Sequence, residues 1–231
     1  MGHKVNPKGL RIGITNTWRS RWFGKRDYVK NLSEDVKLRR FVMKKWKTAA
    51  IADVEIERSA NTIKLIIMTG RPGVLIGRGG TGIEDLSRTV KKEFFRGKKT
   101  DLKIEVQEVK QVEESASLVA QQVAEQIEKR MPFRRVLKST LEQVEKSRRV
   151  KGVKVEIAGR LGGAEMSRRE WAAKGTLPLH TLRANIDFAR ATAATTYGSI
   201  GVKVWIYKGD VFRGSEEAPV EGGREHQEAV R

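Results

Sequence analysis

The chain alternates between two hydrophobic periods, which divide it into helical and extended segments. Residues 33–47 carry apolar side chains at roughly helical spacing among six basic residues, a pattern that predicts an amphipathic basic helix. From residue 51 the period becomes two, so residues 51–58 and 62–69 predict strands with one apolar and one polar face. The intervening Ser59-Ala60-Asn61 predicts a short turn, and the two strands should therefore form an antiparallel hairpin.

A glycine-rich loop, flanked by short and long helical patterns, follows the predicted hairpin. Residues 74–76 predict a single helical turn before the loop. A longer helix should run from Thr81 to near Gly97, with Thr81 and Glu84 at the spacing of a capping box. A third alternating strand is predicted at residues 102–106, which gives the element order α-β-β-α-α-β.

The pattern restarts near Val109, where we predict a domain boundary. Residues 112–130 predict one helix, and Pro132 suits the first turn of another. Three alternating segments follow, at residues 153–157, 184–188 and 202–206. Two helices followed by strands predict a second two-layer α+β domain with an antiparallel sheet.

The charge distribution points to a polyanionic partner. The chain has 47 Lys and Arg against 28 Asp and Glu, a formal net charge of +19. Such an excess favours nucleic acid, whereas no apolar run approaches the roughly 18 residues that cross a membrane. The first fifty residues hold fourteen of the basic residues, so we expect an RNA-binding N-terminal arm that uses Lys4, Lys8 and Arg11.

Composition argues against an enzyme, a metal site and a cofactor. Cysteine is absent, and the three histidines, His3, His180 and His226, lie far apart in the sequence. The chain has no G-x-x-x-x-G-K-[ST] nucleotide loop and no recognisable catalytic motif. We therefore expect no small-molecule substrate. The N-terminus lacks a signal-peptide pattern, so we expect a cytoplasmic protein.

The loop Gly77-Arg78-Gly79-Gly80 is the feature most suggestive of a ligand. Glycines allow the backbone to approach an anion, and the N–H groups at the start of the following helix favour a phosphate. Three interpretations are open: a dinucleotide site, because Gly77, Gly79 and Gly82 match G-x-G-x-x-G; a turn without a ligand; or the GXXG clamp of a KH domain. The dinucleotide site lacks its βαβ context, and the strands look antiparallel. The element order favours a KH domain of type II.

These patterns together predict an α+β protein in four parts. A basic arm occupies residues 1–16, and a type II KH domain residues 17–108. A second α+β domain with an antiparallel sheet occupies residues 109–211. Residues 212–231, rich in Glu and Gly, are predicted to be a disordered acidic tail.

Two further segments of the second domain are candidates for RNA contact. Arg134, Arg135 and Lys138 share one face of the helix after Pro132, which is consistent either with a solvated surface or with nucleic-acid binding. Residues 159–171 read as a glycine-rich basic loop. Its candidates are Arg160, Arg168 and Arg169 for phosphate and Trp171 for base stacking, although Trp171 could equally belong to the core.

Several long strings resemble the bacterial ribosomal protein S3 family of the small subunit. They are Gly2-x-Lys4-Val5-Asn6-Pro7, Trp18-x-Ser20-Arg21-Trp22-Phe23, Gly159-Arg160-Leu161-Gly162-Gly163-Ala164-Glu165, Leu177-Pro178-Leu179-His180-Thr181-Leu182-Arg183-Ala184 and Tyr197-Gly198-x-x-Gly201-Val202-Lys203-Val204-Trp205. The resemblance covers about residues 1–210. It implies binding to 16S rRNA through both domains and contacts with neighbouring proteins of the small-subunit head.

The resemblance also assigns a role to the basic helix. In that family the helix that matches Arg134, Arg135 and Lys138 faces the mRNA entry channel, where it helps to hold and unwind incoming message. An enzyme and a free-standing KH regulator of messages are the competing hypotheses. A ribosomal protein should sediment with small subunits, whereas a regulator should remain largely unbound.

Overall fold

The structure is a computed structural model that describes residues 4–59, 62–95 and 101–212. Three of the predicted features lie wholly or partly outside these ranges. The turn residues Ala60 and Asn61, the helix end near Gly97 and the acidic tail after Phe212 lie outside the described residues.

The first half of the chain forms a four-stranded mixed sheet with helices on one face. Its elements are β1 (Ser20–Arg21), α2 (Tyr28–Lys45), β2 (Ile51–Arg58), β3 (Thr62–Thr69), α3 (Pro72–Ile76), α4 (Thr81–Phe94) and β4 (Asp101–Glu108). The strand order is β1-β2-β3-β4, and β2 and β3 pair antiparallel as predicted. The expectation that all strands are antiparallel is wrong, because β3 and β4 are parallel. The helical crossover through α3 and α4 returns the chain in the same direction.

Helix α2 is longer than its hydrophobic pattern indicated. It begins at Tyr28, whose ring lies 5.3 Å from that of Trp22, and its first turn exposes Val29. The inward-facing apolar pattern therefore starts only in the second turn. Leu38 and Val42 are fully buried against the sheet, where they join one hydrophobic core with residues of β2, β3, α3 and α4.

The second half forms an antiparallel sheet whose helices also cover one face. Its elements are α5 (Ala116–Glu128), α6 (Phe133–Glu145), β5 (Gly152–Gly159), β6 (Arg168–Gly175), β7 (Ala184–Thr195) and β8 (Gly198–Asp210). The strand order is β6-β5-β8-β7. Strand β6 was missed from the sequence, because residues 168–175 combine charged and small residues without apolar alternation. Residues 168–171 therefore lie on a strand rather than in a loop.

The N-terminal segment packs on the second sheet and is not a free arm. Helix α1 (Pro7–Leu10) contacts β7, and Pro7 is buried. The segment from Lys4 to Asn16 is thus joined to the far end of the chain, while β1 immediately after it pairs with β2. We propose that the boundary between the two domains lies between residues 108 and 109, because β4, the last strand of the first sheet, ends at Glu108.

The two halves touch through α5. Gln121 Nε2 donates to the Ile51 carbonyl oxygen at 2.8 Å, and Leu118 lies against Gly70. Beside this contact a cleft of about 1380 Å³ runs between α2, β2, α5 and β7. Both halves are therefore placed relative to each other by specific contacts.

Candidate nucleic-acid interface

The glycine loop protrudes between α3 and α4 with its backbone exposed. Gly77, Gly79 and Gly80 have positive φ angles of 69°, 62° and 84°, a region in which side chains with a Cβ are strained. A Cβ placed on Gly79 or Gly80 would meet nothing within 4 Å, so the space above the loop is open. Arg78 is exposed and forms no ion pair with a described carboxylate. The loop therefore presents backbone and one free cation to solvent.

The capping box predicted from Thr81 and Glu84 is wrong. The N-cap is Gly80 in the left-handed conformation, and no side chain caps α4 there. Thr81 Oγ1 instead donates to the Arg78 carbonyl oxygen at 3.0 Å, a hydrogen bond that links the start of α4 to the loop. The first turn of α4 is consequently left without the side-chain acceptor that a capped helix would have.

Two residues beside the loop hold its helices together. Leu75 is fully buried, whereas its neighbour Ile76 is 36% exposed. Gly82 faces the end of α3 so closely that a Cβ there would lie 2.4 Å from the Leu75 carbonyl oxygen. Gly82 thus serves close helix packing.

Helix α6 carries the three predicted basic residues on its outer face. Arg134, Arg135 and Lys138 are exposed, while Val136 and Leu137 are buried toward the sheet. None of the three pairs with a carboxylate in the part of the chain that the structure describes. Their charges are available to an outside anion.

Phe133 links this helix to strand β6. The Arg134 guanidinium lies 5.8 Å from the Phe133 ring centroid, and the Arg168 guanidinium lies 5.4 Å from it on the other element. Two candidates that the sequence assigned to different sites, Arg134 and Arg168, therefore flank the same ring. The predicted mRNA and rRNA contacts adjoin each other at this point.

The glycine-rich turn after β5 is shaped by Arg160. Its Nε donates to the Ala164 carbonyl oxygen at 2.9 Å, and its Nη1 donates to that of Tyr197 at 3.3 Å. Arg160 is half-buried, so much of its donor capacity serves the turn. Its role in rRNA binding stays a prediction.

Arg169 and Trp171 lie on the face of the second sheet that the helices leave uncovered. Trp171 is 59% exposed, so of the two open interpretations the core position is wrong. The Lys154 ammonium lies 4.5 Å from its ring centroid, and Arg169 lies 3.7 Å from Glu156. Lys154 was missed as a candidate, because an isolated Lys on an amphipathic strand carries no distinctive signal.

Of the three N-terminal candidates, Arg11 is internal and is not available to RNA. Arg11 is fully buried, and its guanidinium donates to the carbonyl oxygens of Pro7, Leu179 and Thr181 at 2.9–3.0 Å. Its predicted rRNA contact is wrong, because a surface partner cannot reach it. Lys8 lies 2.7 Å from Asp187 with its side chain 29% exposed, and its contact with rRNA stays a prediction.

Asp187, on strand β7 of the second sheet, forms an ion pair with Lys8 of the N-terminal segment. Burial would raise the pKa of its carboxyl, but the Lys8 ammonium and the Ala116 backbone N–H outweigh burial and lower it. Lys4, by contrast, is exposed and remains a candidate for RNA contact.

Within residues 4–59, 62–95 and 101–212, no cluster of three or more His, Asp or Glu could hold a metal ion. No helix among them is long and apolar enough to cross a membrane. The candidate interface consists of cations, the glycine backbone of the loop and the exposed indole of Trp171.

A mixed sheet with a β3-α3-α4-β4 crossover and a GXXG loop between the two helices defines an RNA-binding KH protein of type II. The KH domain family model matches residues 37–114. The model for the C-terminal domain of ribosomal protein S3 matches residues 123–206.

Curated relatives match almost the whole chain. The small ribosomal subunit protein uS3 of Desulfitobacterium hafniense is 50% identical over 224 residues, which cover 97% of this chain and 100% of the relative. That of Desulfosudis oleivorans is 52% identical over 92% of this chain and 97% of its own length, and that of Bacillus cytotoxicus is 45% identical over 97% and 100%. The chain belongs to the small ribosomal subunit protein uS3 family.

This membership confirms the predicted class of protein. The chain is an RNA-binding, structural component of the small ribosomal subunit, located in the cytoplasm, and not an enzyme. The dinucleotide interpretation of the glycine loop is thereby excluded, since that loop lies within the KH match.

Proposed function

We propose that this protein binds 16S rRNA through both domains, contacts neighbouring proteins of the small-subunit head, and lines the mRNA entry channel with helix α6. There Arg134, Arg135 and Lys138 hold the backbone of incoming mRNA and favour its unpaired form. The cations would act by stabilising the separated strands, which requires no nucleotide hydrolysis.

The observation that carries the channel assignment is the free charge on α6. Elsewhere in the described residues several basic side chains are neutralised internally, as Arg58 is by Asp35 and Glu34, and Lys174 by Glu145. The α6 cations lack such partners and project from a helix whose other face is buried. Unpaired cations on one rigid face suit a phosphate backbone that slides past them.

For rRNA, the proposal assigns phosphate contacts to the Gly77–Gly80 loop and to Lys4, Arg160, Arg168 and Arg169, with Trp171 beside them. The loop offers backbone N–H groups and Arg78, which together grip a phosphate without reading sequence. The remaining cations lie on the second half of the chain or against it, so both halves contribute to the contact.

The test of the channel role replaces Arg134, Arg135 and Lys138 together by Ala in reconstituted small subunits. Alanine favours the helix, so α6 should persist and the particles should assemble. We expect slower translation of an mRNA with a stable hairpin in its coding region and unchanged translation of an unstructured one.

A matched variant with Arg134→Lys, Arg135→Lys and Lys138→Arg keeps all three charges and should retain most of the activity on the hairpin template. Equal rates for the alanine variant and the unchanged protein on both templates would exclude the channel role. Loss on both templates would indicate an assembly defect instead, which sedimentation of the particles detects.

A further inference from the structure

The second sheet leaves one of its faces without helices, and this face carries cations and aromatic rings in register across four strands. One row runs Trp171, Glu156, Lys203, Arg190 from β6 to β7. On one side lies the row Ala173, Lys154, Trp205, Phe188, and on the other the row Arg169, Ala158, Gly201, Thr192. We call these three rows the open face.

Part of the open face is covered by the chain itself. Leu177 and Leu179 pack over Phe188 and Trp205, which are 6% and 4% exposed. The uncovered part holds Trp171, together with Arg169 and Lys203, whose side chains are 63% and 42% exposed. An exposed surface with this composition remains beside the β6 edge.

The charge of the open face is positive. Its basic residues are Arg169, Lys154, Lys203 and Arg190, and its acidic residue is Glu156. The Glu156 side chain is 7% exposed and lies 3.5 Å from Lys203 and 3.7 Å from Arg169, so it holds both cations in place. Burial and the neighbouring Lys4 lower the pKa of Lys154, as expected where cations are crowded.

The exposed indole is held in position. The Lys154 ammonium lies between two rings, 4.5 Å from the Trp171 centroid and 5.6 Å from that of Trp205. Such cation–π contacts restrain the ring on a strand that is itself paired along its length. Trp171 thereby offers a fixed aromatic surface to solvent.

A shallow shelf adjoins this indole. Ala158 and Gly201 are neighbours in the row that Arg169 and Thr192 flank, and both have minimal side chains. A Cβ on Gly201 would meet only the Ala158 carbonyl oxygen, at 3.8 Å, so glycine is not required there by packing. The small residues leave room for a ligand backbone to approach the sheet.

We propose that the open face binds single-stranded RNA, with one base stacked on Trp171 and the flanking phosphates held by Arg169, Lys203 and Arg190. The inference rests on the proposed rRNA-binding function and specifies the form of RNA that this part of the interface takes. Stacking requires an unpaired base, because the bases of a duplex are not accessible to an indole. An acidic protein segment would satisfy the cations but would give no use to the exposed ring between them.

The test uses the full chain and a labelled, adenosine-rich single-stranded RNA of about 12 nucleotides, long enough to span one such platform. All variants are made in a background with Arg78→Asp and Gly79→Asp, so that the remaining binding reports on the second domain. Trp171→Ala should weaken binding by about fivefold or more, and Trp171→Phe should retain most of it. Duplex RNA of the same sequence should bind more weakly and be insensitive to Trp171→Ala.

Two further variants test the roles of charge and of space, and a third serves as a control. The Lys203→Ala, Arg190→Ala pair should reduce the slope of log affinity against log salt by about 1.4, as expected for two phosphate contacts on a single strand. Gly201→Val, which suits a strand, should weaken binding by filling the shelf. Lys174→Ala, on the opposite face of β6, is the matched control and should leave the affinity unchanged.

Unchanged single-strand affinity in both Trp171→Ala and Gly201→Val overturns the proposal. If these variants instead release a neighbouring protein from reconstituted particles while RNA affinity is kept, the face belongs to a protein partner and the proposal is equally overturned. In a third outcome, Arg78→Asp with Gly79→Asp weakens RNA binding, and the open-face variants cause no further loss. This outcome leaves the proposed rRNA function standing and rejects only the binding of single-stranded RNA by the open face.

Discussion

Arg11 donates from Nη2 to the Leu179 carbonyl oxygen at 3.0 Å, joining two residues that lie 168 positions apart in the chain. The same nitrogen reaches the Thr181 carbonyl oxygen at 2.9 Å, and Nη1 reaches that of Pro7 at 3.0 Å. Arg11 therefore acts as an internal clamp, because its hydrogen bonds join the basic N-terminal segment to residues 179–181. It fixes the segment from Lys4 onward on the second sheet, beside Asp187 and Lys154.

The clamp predicts a loss of stability when Arg11 is replaced. Arg11→Met removes charged hydrogen bonds from three carbonyl oxygens, and we expect the free energy of unfolding to fall by about 2–4 kcal/mol. Urea denaturation followed by tryptophan fluorescence measures the change. Lys4→Met, at an exposed position in the same segment, should change stability little. A stable Arg11→Met protein with weakened RNA binding would contradict the clamp and restore the original prediction.

The ion pair between Lys8 and Asp187 predicts an acid-dependent attachment of the same segment. The folded protein lowers the pKa of Asp187 below its ordinary value of 3.8, so the carboxylate contributes stability above about pH 4. That contribution is lost as the pH falls through the lower pKa of the folded state. Asp187→Asn should therefore reduce the melting temperature at pH 7, and the difference from the unchanged protein should shrink as the pH falls below 3.8.

Melting curves between pH 7 and pH 3 for both proteins provide the measurement. The difference between them matters, because other carboxyl groups titrate in the same range. A difference in melting temperature that does not shrink below pH 3.8 would contradict the lowered pKa of Asp187 in the folded protein.

The glycine loop predicts a loss of RNA affinity when its charge is reversed. Arg78→Asp with Gly79→Asp places two carboxylates where a phosphate is expected, and binding to a 16S rRNA fragment should weaken on the order of tenfold at physiological salt. Asp is tolerated at the positive φ of Gly79 better than most residues, so folding should persist. Arg88→Asp, exposed on α4 beyond the loop, reverses one charge as Arg78→Asp does and is the control for a general effect of charge. Equal affinities of the two variants would count against a loop-specific contact.

Segments with one buried and one solvent-exposed face could be predicted from the sequence. Strands β2, β3 and β4 and helix α6 were predicted within a few residues, because buried side chains recur there at the period of the element. Strand β6 has no such signal. Its inward positions include Arg168 and Lys174, which pair with groups on α6, so the strand reads as a polar loop.

Some candidate site residues could also be recognised in the sequence, and others could not. Gly77, Gly79 and Gly80 were recognisable because a turn of this kind requires glycine, and all three have positive φ angles. Arg11 and Lys4 were indistinguishable in the sequence, since each is a basic residue near the N-terminus. Only the folded chain shows that one faces buried carbonyl oxygens and the other solvent. Charge alone does not reveal which cations are already neutralised.

Gly82 provides the sharpest test of the loop architecture. Alanine is the better helix former, so at an ordinary position of α4 Gly82→Ala would stabilise the helix. Here the added Cβ would lie 2.4 Å from the Leu75 carbonyl oxygen and 3.0 Å from that of Ile76, both backbone atoms at the end of α3. The two helices must separate, and we expect a loss of about 1–3 kcal/mol in stability together with weaker RNA binding.

Gly73→Ala is the matched control for this change, because it adds the same Cβ to the partner helix α3 at a position where nothing lies within 4 Å. It should leave RNA affinity unchanged and stability unchanged or slightly raised. Thermal denaturation and RNA titration of the two variants side by side separate the alternatives. If Gly82→Ala behaves like Gly73→Ala, the close approach of α3 and α4 does not fix the loop, and the phosphate grip must come from Arg78 alone.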